Sequence, residues 1–116
     1  MPVISQCTLE VRFLQKLVCL ATSYWETKDN DPIYKEIVEL VHCMKGRIKF
    51  HGVGCFSCIF YQGHDEIVLT LHPPNVRNTV PTMTVSIETT SVRMDLKSDI
   101  LYVLRDLVDD LGDDNE

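Results

Sequence analysis

Metal-binding residue types concentrate in one stretch of this 116-residue chain. The segment HCMKGRIKFHGVGCFSCIFYQGH, residues 42–64, holds three of the four histidines and three of the five cysteines. Thiolate sulfur and imidazole nitrogen are the usual ligands of structural zinc, and a Cys-x-x-Cys pair commonly supplies two of its ligands. One alternative for this chain is therefore a small zinc-binding regulatory or accessory protein, for example a viral one. Its candidate ligands are Cys55, Cys58, His51 (or Cys43) and His64.

The local pattern favours a different interpretation of the same stretch. Phe56, Phe60 and Tyr61 are residue types enriched in strands, and two strand side chains three positions apart point to opposite faces. Cys55 and Cys58 then cannot bind one ion. We expect Cys58 to pack as a small core residue and Cys55 to lie at a strand end. A redox pair is a third alternative, but its reactive thiol usually sits at a helix N-terminus, and no helix is predicted to begin here.

Patterns typical of catalysis or phosphate binding are not evident elsewhere. No Ser-His-Asp or Cys-His-Asn arrangement can be read from the spacing, although such triads assemble in space and not in sequence. The GVG at 52–54 lies between two predicted strands, which indicates a hairpin turn and not a dinucleotide-binding loop. His42 flanks an apolar helix stripe, which favours a structural position over a general base. We therefore predict no catalytic residue, no cofactor and no bound metal.

The net charge of −6 comes entirely from one end of the chain. Residues 1–105 contain 11 basic and 11 acidic residues, whereas residues 106–116, DLVDDLGDDNE, contain six acidic residues and no basic one. One interpretation is a solvated helix end followed by a short acidic tail, residues 112–116. The functional interpretation is a segment that binds a basic partner. Because binding to a phosphate backbone needs a net basic face, we do not expect nucleic-acid binding.

Length and composition predict a single domain spanning residues 1–116. The chain is 45% apolar and 24% charged, which is ordinary for a globular protein, and no window reaches the ~18 apolar residues typical of a membrane span. The opening MPVISQCTLE lacks the basic and apolar regions of a secretory signal. With no signal and an odd number of cysteines, we expect reduced thiols in the cytoplasm or nucleus.

The hydrophobic period predicts two helices followed by strands. Apolar residues recur every four positions from Leu9 to Ala21, which predicts an N-terminal helix over about residues 8–26. Asp31 and Pro32 are typical of a helix start, and the second helix is predicted to end near Gly46. The period then changes to two, which predicts strands. These strands are RIKFH (47–51), CFSCIFYQ (55–62), EIVLTLH (66–72) and TMTVSIETT (82–90).

Short connections between the predicted strands favour a four-stranded antiparallel meander. Apolar residues from Ile100 to Leu111, with Gly112 just past them, predict a last helix. The predicted fold class is therefore α+β in the order α-α-β-β-β-β-α. Alternate residues of the strands are apolar, so the helices should pack on one face of the sheet.

The segment EIVLTLHPPNVRNTVPTMTVSIE reads as a strand, a loop with prolines at both ends, and another strand. With the elements around it, over about residues 32–111, it resembles the RWD domain. RWD domains are similar to ubiquitin-conjugating enzymes, lack their catalytic cysteine, and serve as protein-interaction modules. The family often carries a Tyr-Pro…Pro pattern in this loop; here Pro73, Pro74 and Pro81 stand in, and no tyrosine precedes them. In the conjugating enzymes the nucleophilic cysteine lies downstream of this region. Here no cysteine follows Cys58, so thioester-forming activity is not expected.

Two apolar surfaces suggest a partner. If residues 32–111 form an RWD-like unit, the first helix is extra, and it must bury its apolar face either on its own sheet or in an interface. Ile59, Tyr61 and Val68 can form a second apolar patch on the otherwise polar sheet face. We therefore expect a non-catalytic protein-interaction or assembly module that forms a homo- or heterodimer. The predicted interface residues are Phe13, Leu17, Tyr24, Trp25, Ile59 and Tyr61.

Basic side chains follow the first predicted strand. Lys45, Arg47, Lys49 and His51, here called the basic stripe, alternate with apolar residues. The stripe is either the solvated face of a strand or a patch for an acidic partner, such as the acidic tail of another copy.

Overall fold

The computed structural model describes residues 11–62 and 64–96, which form two helices followed by five strands. The α+β class is therefore confirmed. The elements are α1 Val11–Glu26, α2 Asp31–Cys43, β1 Arg47–Gly52, β2 Cys55–Gln62, β3 Asp65–His72, β4 Thr82–Ile87 and β5 Thr90–Asp95.

The two helices are amphipathic and begin and end close to their predicted limits. At the turn between them, the Asn30 side chain donates a 2.9 Å hydrogen bond to the carbonyl oxygen of Tyr24. Asn30 is the N-cap residue of α2, so the helix begins at Asp31, and Pro32 occupies its first turn as expected. None of the described helices is long and apolar enough to cross a membrane.

The five strands form one antiparallel meander in the order β1-β2-β3-β4-β5. β1 and β5 are therefore its two edges. The register sets which side chains share a face: Cys58 lies opposite Ile48 on one side and Leu69 on the other, so these three point the same way. A bulge between Phe50 and Gly52 ends the regular pairing of β1 with β2.

The predicted four-stranded order α-α-β-β-β-β-α is wrong, because Thr90–Asp95 forms a fifth strand. The alternating period predicts one strand over 82–90, but a two-residue turn at Glu88 and Thr89 reverses the chain and pairs Ile87 with Thr90. Glu88 adopts a left-handed φ of 56°, which hairpin turns usually assign to glycine or asparagine. The turn therefore carried no typical sequence signal. The predicted last helix and the acidic tail lie outside the described residues.

Both helices pack on one face of the sheet, as predicted, and their apolar stripes form a single core with it. Phe13 of α1 contacts Phe60 of β2 edge-to-face, with ring centroids 5.1 Å apart. Tyr34 of α2 packs on Phe50 of β1, with centroids 4.8 Å apart. Leu17 is completely buried. The first helix therefore packs within its own chain, on its own sheet.

A hydrogen bond fixes the end of α1 to the β1–β2 turn. The indole Nε1 of Trp25 donates to the carbonyl oxygen of Gly54 at 2.8 Å. Gly54 has a φ of +83°, and a Cβ on it would lie 3.3 Å from the Trp25 ring. Glycine at this position therefore permits both the turn conformation and the close approach of the indole.

Candidate functional site

The face of the sheet opposite the helices, here called the open face, carries the polar residues of the alternating strands. Among residues 11–62 and 64–96, no helix packs on it. Its side chains form rows across the strands, because directly paired residues point the same way. One row is Arg47, Ile59, Val68, Ser86 and Ser91, and the next is Lys49, Ser57, Thr70, Thr84 and Arg93.

An apolar patch lies within this polar face. Ile59 and Val68 are direct cross-strand partners on β2 and β3, and both are half-buried. Tyr61, two residues along β2, is 45% exposed. These three residues, here called the apolar patch, lie on the two strands next to the β1 edge, so strand pairing holds their backbone in place on both sides.

Hydrogen bonds and an ion pair border the apolar patch. The Tyr61 hydroxyl accepts a 3.2 Å hydrogen bond from Arg47 Nη2 and donates one of 3.2 Å to Glu66 Oε2. Arg47 and Glu66 also form a 3.9 Å ion pair, with side chains 66% and 52% exposed. At this exposure the ion pair contributes little to stability. The cluster therefore orients Tyr61 while its charged groups remain open to a partner.

A first series of polar contacts crosses the strands near the β1–β2 turn. His51 Nε2 and Ser57 Oγ are 2.7 Å apart, and Ser57 Oγ and Thr70 Oγ1 are 2.9 Å apart. A serine beside a histidine is the arrangement of an activated nucleophile. Here Ser57 is only 6% exposed and its hydroxyl contacts both neighbours. The contacts therefore satisfy a buried hydroxyl within a regular strand.

A second series of polar contacts lies beside the first. Cys55 Sγ is 3.8 Å from His72 Nδ1, and His72 Nε2 is 3.3 Å from Thr84 Oγ1. Burial raises the pKa of the Cys55 thiol. Burial, followed by the positive charges of Arg93 and His51, lowers the pKa of His72. Because both shifts favour the neutral forms, the pair is a thiol and a neutral imidazole at neutral pH, and not the thiolate that acts as a nucleophile.

The structure does not bring the candidate zinc ligands together. Cys55 lies on the open face, whereas Cys58 is completely buried in the core, where burial raises the pKa of its thiol to about 12. His51 lies near Cys55, but His64 follows the far end of β2, about 23 Å away along an eight-residue strand. The described residues contain no group of three or more metal-binding side chains.

The six predicted interface residues lie on both sides of the sheet. Phe13 and Leu17 are buried in the core, so a docked α1 does not offer them to a partner. Tyr24 and Trp25 are half-buried and both pack against Phe56. The other two predicted residues, Ile59 and Tyr61, lie together on the open face with Val68.

The period of two predicts polar residues such as Thr84 on the outward face, but it singled out none of the residues that contact one another there. They are Ser57, Thr70, His72, Thr84 and Arg93, which the register places in two adjacent rows. The available signal was their period of two within strands. That period tells which residues share a face, but only the register tells which of them meet.

Comparison of the chain with protein-family models, curated proteins and solved structures finds no match. The resemblance to RWD domains therefore stays a prediction.

Proposed function

We propose that this chain is a non-catalytic protein-interaction or assembly module that contacts its partner through the open face of its sheet. The observation that carries the proposal is the apolar patch, Ile59, Tyr61 and Val68, on the face that no described helix covers. Exposed apolar groups within a polar surround are typical of interaction sites.

The composition of the patch supports a protein partner. Tyrosine and arginine are enriched among the residues that dominate binding energy, and they act best at the centre of a contact surrounded by polar groups. Tyr61 already bonds to Arg47 and Glu66, so its ring is oriented before a partner arrives. Rigid side chains lose less conformational freedom on binding, which favours association.

The chemistry of the polar rows supports a binding role over a catalytic one. The Cys55 thiol and the His72 imidazole both favour their neutral forms, and Ser57 is buried with its hydroxyl in contact with neighbours. These contacts tie the groups to one another across the strands. These hydrogen-bonding contacts satisfy the polar groups of the open face, so that a partner can cover this face.

We further propose that the partner is a protein, in a homo- or heterodimer, in the cytoplasm or nucleus. The four cysteines among the described residues, Cys19, Cys43, Cys55 and Cys58, are unpaired, which supports a compartment that keeps thiols reduced. The resemblance to RWD domains implies the same kind of role.

The proposal is tested by removing apolar groups from the patch while keeping β-branched side chains. The double variant Ile59→Thr/Val68→Thr should weaken association at least tenfold, which corresponds to about 1.4 kcal/mol. Val92→Thr is the matched control, because Val92 is 49% exposed but lies on the helix side of β5, opposite Val85. Sedimentation velocity over a range of concentrations measures self-association. Affinity capture with the wild type, the double variant and the control variant as baits measures binding to other proteins.

The control variant should behave as the wild type in both measurements. If the double variant retains all complexes of the wild type, or if the wild type forms none, the proposal is wrong. Thermal unfolding of each variant checks that a lost complex does not result from a lost fold.

A further inference from the structure

The basic stripe lies on an exposed edge of the sheet and is not neutralised by the neighbouring strand. All four of its residues are exposed, and β1, which carries three of them, is an edge strand. The register places Ile59 beside Arg47 and Ser57 beside Lys49. β2 contains no acidic residue, so it leaves the positive charge of the stripe uncompensated.

Ion pairs within the described residues compensate only part of this charge. Arg47 pairs with Glu66 across 3.9 Å. Lys45 and Lys49 form no ion pair with any described residue. The stripe therefore projects positive charge at the border of the open face, next to the apolar patch.

The complementary charge is present in the same sequence. Residues 106–116 contain six acidic residues and no basic one, and the remainder of the chain is balanced. We infer that the basic stripe of one copy binds the acidic segment 106–116 of a second copy. This inference rests on the proposed function. The partner that binds the open face is then a second copy of the same chain.

The stripe and the end of the described chain lie at opposite edges of the sheet. The described chain ends at Leu96, beside β5, whereas the stripe lies at β1, about 19 Å away across four strand spacings. A second copy facing the open face can present its segment at the β1 edge, and two-fold symmetry then forms the same contact twice.

Charge complementarity predicts a strong dependence on salt. Exposed ion pairs are individually weak and are screened by salt. Raising the ionic strength from about 0.1 M to about 1 M shortens the screening length from about 10 Å to about 3 Å. Self-association should weaken by an order of magnitude or more over this range.

Reversal of charge on each partner surface tests the inference in the full-length chain. The stripe variant is Lys45→Glu/Lys49→Glu, which leaves the hydrogen bonds of Arg47 intact. The segment variant is Asp109→Lys/Asp113→Lys. The control variant, Lys16→Glu/Lys35→Glu, makes the same charge change as the stripe variant at exposed positions on α1 and α2.

Sedimentation velocity of each variant, and of an equimolar mixture, gives the result. The stripe variant and the segment variant should each lose self-association at least tenfold, and the control should retain it. Mixing the two variants should restore a complex, because the unchanged basic stripe of the segment variant then meets the unchanged acidic segment of the stripe variant. A wild type that stays monomeric, a stripe variant that associates as well as the control, or a mixture that forms no complex would each overturn the inference.

The failure of this inference can be distinguished from failure of the proposed function. If charge reversal has no effect but Ile59→Thr/Val68→Thr abolishes association, the open face binds a partner without the acidic segment. If neither change affects any complex, both proposals are wrong.

Discussion

The placement of α1 on its own sheet makes Leu17→Ala a direct test of the fold. Leu17 is completely buried within the core, so its truncation loses apolar contacts and leaves a cavity. Changes of this kind cost about 2–5 kcal/mol in well-packed cores. For a domain of this size, a loss of about 3 kcal/mol lowers the melting temperature by roughly 10–25 °C.

Leu20→Ala on the same helix is the matched control. Leu20 is only half-buried and lines a groove of about 410 Å³ between α1 and α2. Both substitutions change intrinsic helix propensity equally, so the difference between them reports burial alone. We expect the control to lose less than half as much stability as Leu17→Ala.

Thermal unfolding by circular dichroism, at several protein concentrations, gives the answer. The loss caused by Leu17→Ala should not depend on protein concentration, because the contacts lie within one chain. If α1 buried this residue against a second chain, the loss caused by Leu17→Ala would change with protein concentration. A concentration-dependent loss, or a loss no greater than that of Leu20→Ala, would refute the packing described.

Three further changes have defined outcomes. Gly46→Ala should lower stability by about 1–3 kcal/mol, measured by urea denaturation, because its Cβ would clash with the Phe60 ring; an unchanged midpoint would contradict this close packing. Val53→Asn should raise stability by a few tenths to about 1 kcal/mol, because Val53 has a φ of 53° and asparagine tolerates this conformation better; a lower melting temperature would contradict it. The His72 pKa is lowered in the fold, so the folded state binds a proton less readily than the unfolded chain, and stability should fall as the pH drops below about 6.5 through the folded pKa. Arg93→Gln removes one cause and should raise the pKa of His72 in an NMR titration; an unchanged pKa would show that Arg93 does not act on it.

Much of the fold could be predicted because several segments show a strong period. The apolar residues of α1 recur every four positions, and the alternation in β3 matches its burial closely. Period alone did not reveal β5. Only Met94 among its six residues is buried, so the edge strand shows weak alternation, and the turn before it lacks the glycine or asparagine that usually marks a hairpin.

The candidate site could be predicted only in part, because its contacts depend on register. The sequence placed Ile59, Tyr61 and Val68 on one face by their spacing, and the structure pairs Ile59 with Val68 directly. It could not decide whether Phe13 meets its own sheet or another chain, since an apolar helix face does not specify its partner. The contact between Cys55 and His72 joins residues 17 positions apart, and no local pattern encodes it.

The most direct test of the central claim is site-specific photo-crosslinking from the two faces of the molecule. Tyr61 on the open face and Tyr34 on α2 have similar exposure, 45% and 39%, so each can be replaced by a photoreactive phenylalanine derivative in the full-length chain. Irradiation should link the derivative at position 61 to a protein partner and leave the derivative at position 34 unlinked. Crosslinks from position 34 alone, or equally from both positions, would contradict binding through the open face.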